Sequence, residues 1–350
     1  MRTRLGIIGL GDVAAAHLAA IPLVPAAELV SVCDIRSDLA RSVADKWGVR
    51  GYSDPLALLA DGGIDLAMVL TPASTHRAIV EAAAASRVDV FCEKPLAITL
   101  EDGAAMISAC DASGVRLFQG LTYRYMPAIR KARELISSGA LGRIQLMTEQ
   151  MIGGHGLAGY RQWSQVHYPH GGPGGPGMSL IDHGFHLIDV FSWFLGSQPV
   201  QVTGKGQISG APADSEYLIM TFPCGAIGHL LYNNATFSAG LPNEGMFSGG
   251  AGWTTDGSMT QAGSWTNEPG SISVYGTEGT LRIFHYCNSL FLNTGSGPRM
   301  VELQGRAPPG HFATQLEACL AAISDDLPPP VSGHDGMAAL KTLLAAYRRS

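Results

Sequence analysis

The chain has 350 residues, enough for about two domains of ordinary size. Hydrophobic residues make up 46% and charged residues 15%, a balance that excludes an intrinsically disordered chain. With 23 basic against 29 acidic residues the net charge is −6, so no basic stripe is available for a phosphate backbone and nucleic acid is not an expected partner.

The first residues are basic and lead into an apolar run, but Gly9, Gly11 and Asp12 interrupt it before a secretory core could form. No apolar stretch approaches the ~20 residues needed to span a bilayer, so no membrane association is expected. Cys33, Cys92, Cys110, Cys224, Cys287 and Cys319 include no C-x-x-C pair. Cys33 and Cys92 close apolar runs, as buried reduced thiols do. These features predict a soluble cytoplasmic protein.

Strand and helix patterns alternate through the first third. Strands are predicted at Arg4–Gly9, Leu29–Cys33, Leu66–Leu70, Val88–Cys92 and Arg116–Gln119. Helices are predicted between them at Val13–Ile21, Asp38–Trp47, Thr75–Ala85 and Leu100–Ala112. Continuous apolar strands separated by helices imply a parallel sheet covered on both faces. After Gly120 the pattern changes. A helix is predicted at Pro127–Ser138, a long strand at Ile144–Ile152 and a helix at Leu180–Leu195. Strands follow at Val200–Gln207, Tyr217–Phe222, Ala226–Tyr232, Ser271–Tyr275, Thr280–Phe284 and Ser289–Leu292, then helices at Phe312–Ile323 and His334–Tyr347. The predicted fold class is α/β. A Rossmann doubly wound parallel sheet over residues 1–121 precedes an α+β domain over 122–350 built on a large, mostly antiparallel open sheet. The C-terminal helices are free to pack back on the first domain.

Gly9-Leu10-Gly11-Asp12-Val13-Ala14 follows the first strand and opens the first helix. In this G-x-G-x-x-A pattern the first glycine makes a tight turn and the second lets a pyrophosphate approach the backbone. The small Ala14 permits close helix–strand packing. The helix N-terminus around Asp12 and Val13 offers free N–H donors and partial positive charge. Asp34 closes the second strand, where a carboxylate accepts from ribose hydroxyls and repels a 2′-phosphate, so NAD is the expected cofactor. Arg36 leaves NADP as the alternative, since a guanidinium accommodates that phosphate. Thr71, Pro72 and His76 follow a strand's carboxyl end, where such sheets bind ligands. Ser74 or Thr75 there also suits a helix cap. Glu93-Lys94-Pro95 sits at the next strand end. These segments make Thr71, Pro72, His76, Glu93 and Lys94 cofactor-site candidates, and Lys94 is also placed to donate to a substrate hydroxyl.

In the second domain, Gly177–Asp189 is the densest polar segment. Asp182 and His186 are four residues apart and share one helix face. His186 has the side chain best suited to proton transfer near neutrality. Asp189 is spaced to brace it.

Gly9–Ala14, Thr71–His76, Glu93-Lys94-Pro95 and Asp182–Asp189 together resemble the Gfo/Idh/MocA oxidoreductases, named for glucose–fructose oxidoreductase and inositol dehydrogenase. The similarity extends to Tyr123-Arg124-Tyr125-Met126-Pro127, the Gly276–Thr280 turn and Val331–Gly336. It implies that Lys94, Asp182 and His186 form a catalytic set, and that the chain is a homodimer or homotetramer. The implied activity is NAD(P)-dependent oxidation of a hydroxyl-bearing carbon in a sugar, polyol or glycoside. Two other readings stand beside it: glycoside cleavage with a tightly bound, recycled NAD, and a non-catalytic dinucleotide sensor. Tyr123 and Arg124 are expected to meet the carbohydrate-like substrate. Residues 153–177 depart from the family's usual glycine run. There Tyr160 and Trp163 suit stacking on a sugar and Arg161 suits a hydroxyl or carboxylate. His167 and His170 form a metal-like pair, but no clear set of further ligands follows, so no metal is expected.

Overall fold

The computed structural model describes residues 2–61, 63–152, 180–206, 215–233 and 272–347. They fall into two units, Met1–Leu121 with Phe312–Leu340, and Thr122–His311 with Lys341–Ser350.

In the first unit, β1 (Thr3–Ile8) leads into α1 (Asp12–Ala20) and β2 (Ala27–Cys33) into α2 (Ser37–Trp47). Next come β3 (Arg50–Tyr52), α3 (Pro55–Asp61), β4 (Leu66–Val69) and α4 (His76–Ala85). β5 (Asp89–Glu93), α5 (Leu100–Ser113) and β6 (Leu117–Gly120) complete the run. The strands form one parallel sheet in the order β3-β2-β1-β4-β5-β6. The direction of winding reverses between β1 and β4, the point at which such sheets take ligands beyond their strands' carboxyl ends. Burial on both faces explains the unbroken apolar runs: Leu5, Ile7, Leu66, Val69, Val90 and Phe118 are fully buried. α5 begins where Thr99 Oγ1 accepts from the Asp102 N–H at 3.0 Å, a cap worth about 1 kcal/mol. Burial pushes the Cys33 and Cys110 thiols up to about 12, and all six cysteines are free. β3 and α3, which were not predicted, are short elements at the sheet's edge.

The second unit holds α6 (Pro127–Ser137), β7 (Ile144–Ile152), a π-helical turn (Leu180–Gly184) and α7 (Phe185–Leu195). Its later strands are β8 (Gln201–Lys205), β9 (Glu216–Thr221), β10 (Ile227–Asn233), β11 (Ile272–Gly276), β12 (Gly279–Phe284), β13 (Ser289–Thr294) and β14 (Gly297–Met300). They form an eight-stranded sheet in the order β14-β13-β12-β11-β7-β10-β9-β8. β7 and β10 run parallel and the other neighbours antiparallel. Alternation along β9 and β10 buries Leu218, Met220 and Leu230 and leaves Ile219 and Ile227 exposed. α7 is apolar around most of its circumference and nearly all of it is buried. The chain closes with α8 (His311–Ser324) and α9 (Gly333–Leu344). In the first unit Ser332, just before α9, bridges to Phe118 of β6.

Candidate active site

The glycine turn is built as its spacing predicts. Gly9 has φ +97°, and a Cβ there would lie 2.8 Å from the Leu70 carbonyl carbon and oxygen. Only glycine fits that turn. Gly11 precedes α1 with open space where a Cβ would stand, so the helix N-terminus is accessible over Asp12 and Val13. Asp34 is buried beside it. Its Oδ2 accepts from the Leu10 N–H at 2.9 Å, and its Oδ1 accepts from the Arg36 N–H and Nε–H, each at 2.9 Å. Burial alone would raise the carboxyl's pKa. The hydrogen bonds from Arg36 and Leu10 outweigh it and hold Asp34 below the usual carboxylate range. Arg36 is therefore paired with Asp34, although more than half of its side chain stays exposed. An open helix N-terminus and a fixed anionic acceptor fit a dinucleotide.

Beyond β4, His76 is fully buried. Its Nδ1 lies 3.0 Å from the Leu96 carbonyl and its Nε2 2.8 Å from that of Thr71, and the neutral ring's single N–H donates to one of the two. Burial holds it below the ordinary imidazole value. Thr71 Oγ1 accepts from Thr75 at 2.8 Å. Glu93 is buried as well. Its Oε1 stands 2.8 Å from His17 Nε2 on α1, and its Oε2 accepts the Lys94 N–H at 2.9 Å. Gly120 packs against this carboxylate, which a Cβ would meet at 2.9 Å. Glu93 thus fastens the glycine-turn helix to the loop bearing Lys94, and the Lys94–Pro95 bond is cis. Nothing in the spacing of His17 and Glu93 announced this link.

In the second unit, Asp182 lies on the π-helical turn and His186 on the first turn of α7. Wide turns of this kind recur at functional sites. The His186 ring stacks on Tyr123, with centroids 4.0 Å apart and planes 2° from parallel. Asp189 pairs with an arginine from another element. Arg124 Nε–H donates to its Oδ2 at 2.8 Å, and Nη2 reaches Oδ1. Both residues are nearly buried, and breaking one side of such a pair costs about 3–5 kcal/mol. Tyr123 Oη meets the Tyr286 hydroxyl and lies 3.2 Å from His183 Nδ1. Tyr160, Arg161 and Trp163, with His167 and His170, lie outside the described residues.

Fold and site define a class: a dinucleotide-binding Rossmann unit joined to an α+β unit with an open mixed sheet. Residues 3–121 match the family model described as "Oxidoreductase family, NAD-binding Rossmann fold", and residues 129–282 match the "GFO/IDH/MocA C-terminal domain". The chain belongs to the Gfo/Idh/MocA family. It is 26% identical to a myo-inositol 2-dehydrogenase of Thermotoga maritima over 64% of this chain and 66% of that protein. It is 30% identical to a scyllo-inositol 2-dehydrogenase (NAD(+)) of Bacillus subtilis over 62% of this chain and 60% of that one. The matches thus span about two thirds or less of these curated relatives. An aldose-aldose oxidoreductase from Caulobacter crescentus, solved with glycerol, shares the fold at TM-score 0.80 and 22% identity, over 99% of this chain and 97% of that one. No helix among the described residues is long and apolar enough to cross a membrane.

Proposed function

We propose that this protein is an NAD-dependent oxidoreductase moving a hydride between the nicotinamide and a hydroxyl-bearing carbon of a sugar, polyol or glycoside. The observation that carries the reading is the cradle of Gly9, Gly11 and Asp34, an open helix N-terminus beside a buried, hydrogen-bonded carboxylate. Bound NAD supplies the ring that accepts the hydride; the chain's own residues supply placement and proton handling. His186 takes the hydroxyl proton. Its ring plane is set in advance by the Tyr123 stack. Lys94 stabilises the oxygen as charge builds on it, from a backbone held by Glu93. Asp182 holds a substrate hydroxyl or His186. Tyr123 acts by positioning His186, and Arg124 by holding Asp189. Tyr160, Arg161 and Trp163 grip the sugar through stacking and hydrogen bonds.

The relatives' names favour a cyclic polyol or aldose. Six free cysteines support a cytoplasmic setting, and the apolar outer face of the sheet supports a homodimer or homotetramer.

The test is incubation with NAD and a panel of inositols, aldoses and glycosides, following nicotinamide absorbance and products together. Steady reduction on a polyol or sugar is expected. Glycoside cleavage without net reduction, or tight NAD binding with no turnover on any compound, would overturn the reading. Lys94→Ala and His186→Asn should each lose about 10²–10⁴-fold in kcat while staying folded, and His186→Asn should keep NAD affinity. Near-normal turnover in either folded variant would remove that residue from the catalytic set.

A further inference from the structure

Behind the Tyr123–His186 stack lies a buried polar cluster that the redox chemistry does not use. Glu149 is mid-strand on β7, His183 is on the π-helical turn, and His285 follows β12 directly. All three are at most 2% exposed. Glu149 Oε1 stands 2.7 Å from His183 Nε2, and one ligand atom from each of the three residues converges within 4.8 Å. His285 packs beside His183 with ring centroids 6.2 Å apart. Neither nitrogen of His285 makes a hydrogen bond of acceptable geometry among the described residues, although the ring is fully buried. Buried imidazoles normally have partners, so an unmet one beside a carboxylate and a second imidazole calls for a ligand.

We infer that Glu149, His183 and His285 form a binding site for one first-row divalent transition metal, of which zinc is the test ion. Two imidazoles and one carboxylate suit Zn²⁺ and its neighbours, whereas magnesium and calcium prefer all-oxygen shells. Two ligands bound at about 2.0–2.2 Å in a tetrahedral shell stand roughly 3.4 Å apart, so the 2.7 Å Oε1–Nε2 contact opens by about 0.7 Å when the metal enters. The supporting shell is already in place. Tyr232 Oη–H donates to Glu149 Oε2 at 2.6 Å, leaving Oε1 for the metal. With metal on Nε2, His183 carries its proton on Nδ1 and donates to the hydroxyl oxygens of Tyr123 and Tyr286, 3.2 and 3.1 Å away. Burial, with His183 beside it, holds His285 well below the ordinary imidazole value, and a contact with the Ile283 backbone opposes that shift. The metal would fasten β7, the π-helical turn and the end of β12, and so fix the Tyr123 platform. The site does not depend on the redox reading.

The test uses the full chain, purified without a histidine tag and stripped with chelator. Zn²⁺ should be retained at about one equivalent through gel filtration and should raise the melting temperature, and Co²⁺ in its place should give visible ligand-field absorption. His285→Gln and Glu149→Gln should lose the retained equivalent, while His167→Gln with His170→Gln should keep it. If a cluster variant does not fold, the wild-type cobalt spectrum and zinc-dependent melting shift decide. Absence of retained zinc and of both signals overturns the site. So does unchanged binding in folded His285→Gln, or loss of binding in the His167/His170 double variant.

Discussion

Asp34 carries the sharpest decision in the first unit, because its acceptors are already engaged by Leu10 and Arg36. A ribose diol must share that carboxylate with a guanidinium that is itself more than half exposed and able to swing away. The carboxylate favours NAD, and Arg36 limits the margin over NADP. A hydrogen bond to a charged group is worth about 1.5–3 kcal/mol, or roughly ten-fold or more in affinity. Asp34→Ala should therefore weaken NAD by about that factor and strengthen NADP by releasing Arg36. Arg36→Ala should weaken NADP and spare NAD. Dissociation constants for both cofactors in the three proteins check this, and wild type binding NADP as tightly as NAD would make Arg36 the dominant residue.

At the scale of elements, the glycine turn separates backbone demand from ligand demand. Gly9→Ala meets both a left-handed φ, worth about 1–2 kcal/mol of strain, and a collision with the Leu70 backbone. It should lower the melting temperature clearly and lose NAD. Gly11→Ala meets no protein atom and an ordinary φ of −75°, so its melting temperature should fall much less. Its methyl would still stand over the helix N-terminus, and NAD affinity should drop. Calorimetry with a cofactor titration reads both, and a Gly11→Ala protein with unchanged NAD affinity would remove Gly11 from the phosphate site. This turn was legible in the sequence because it reports a local backbone need, as does the unbroken apolar character of β1, β4 and β5. Long-range pairing left no such mark. His17 and Glu93 meet across 76 positions, and Arg124 and Asp189 across 65, with no local period to reveal them. Helical spacing places Asp189 near His186 but cannot show Arg124 arriving from another element to pair with it. Glu149 sits in a strand that carries apolar residues on both parities, so the sequence shows neither that it points inward nor that His183 and His285 await it. β14 and β3 are largely exposed segments, mostly of Gly, Pro and Arg, with no apolar run to mark them, whereas β4 and β6, each only four residues, are legible because they are buried and mostly apolar. The π-helical turn before α7 is hidden because its residues look helical whichever carbonyl their N–H groups reach.

For the whole molecule, the outer face of the second sheet is the unsolved surface. Ladder register aligns Ile227 with Leu146 and Leu146 with Tyr275, an apolar row across three adjacent strands, while Ile219 stands one row along on β9. Ile219, Ile227 and Tyr275 are 38–42% exposed, on a sheet whose inner face is already buried. Apolar residues scattered over a surface need no partner, but a contiguous row on a flat sheet favours one. A second copy of the chain meets the same row with the same shape, so a two-fold contact is self-complementary. A standard interface buries about 800 Å² per partner, well within what an eight-stranded sheet offers. Sedimentation at micromolar protein should give a mass at least twice that of the chain. Ile219→Asp combined with Ile227→Asp should shift it to monomer, because two carboxylates on each copy would be desolvated in the contact. The substituted positions are exposed in the single chain, so that monomer should remain folded by circular dichroism. A concentration-independent monomer in wild type would overturn the assembly. A double variant that stays oligomeric would move the interface to another face.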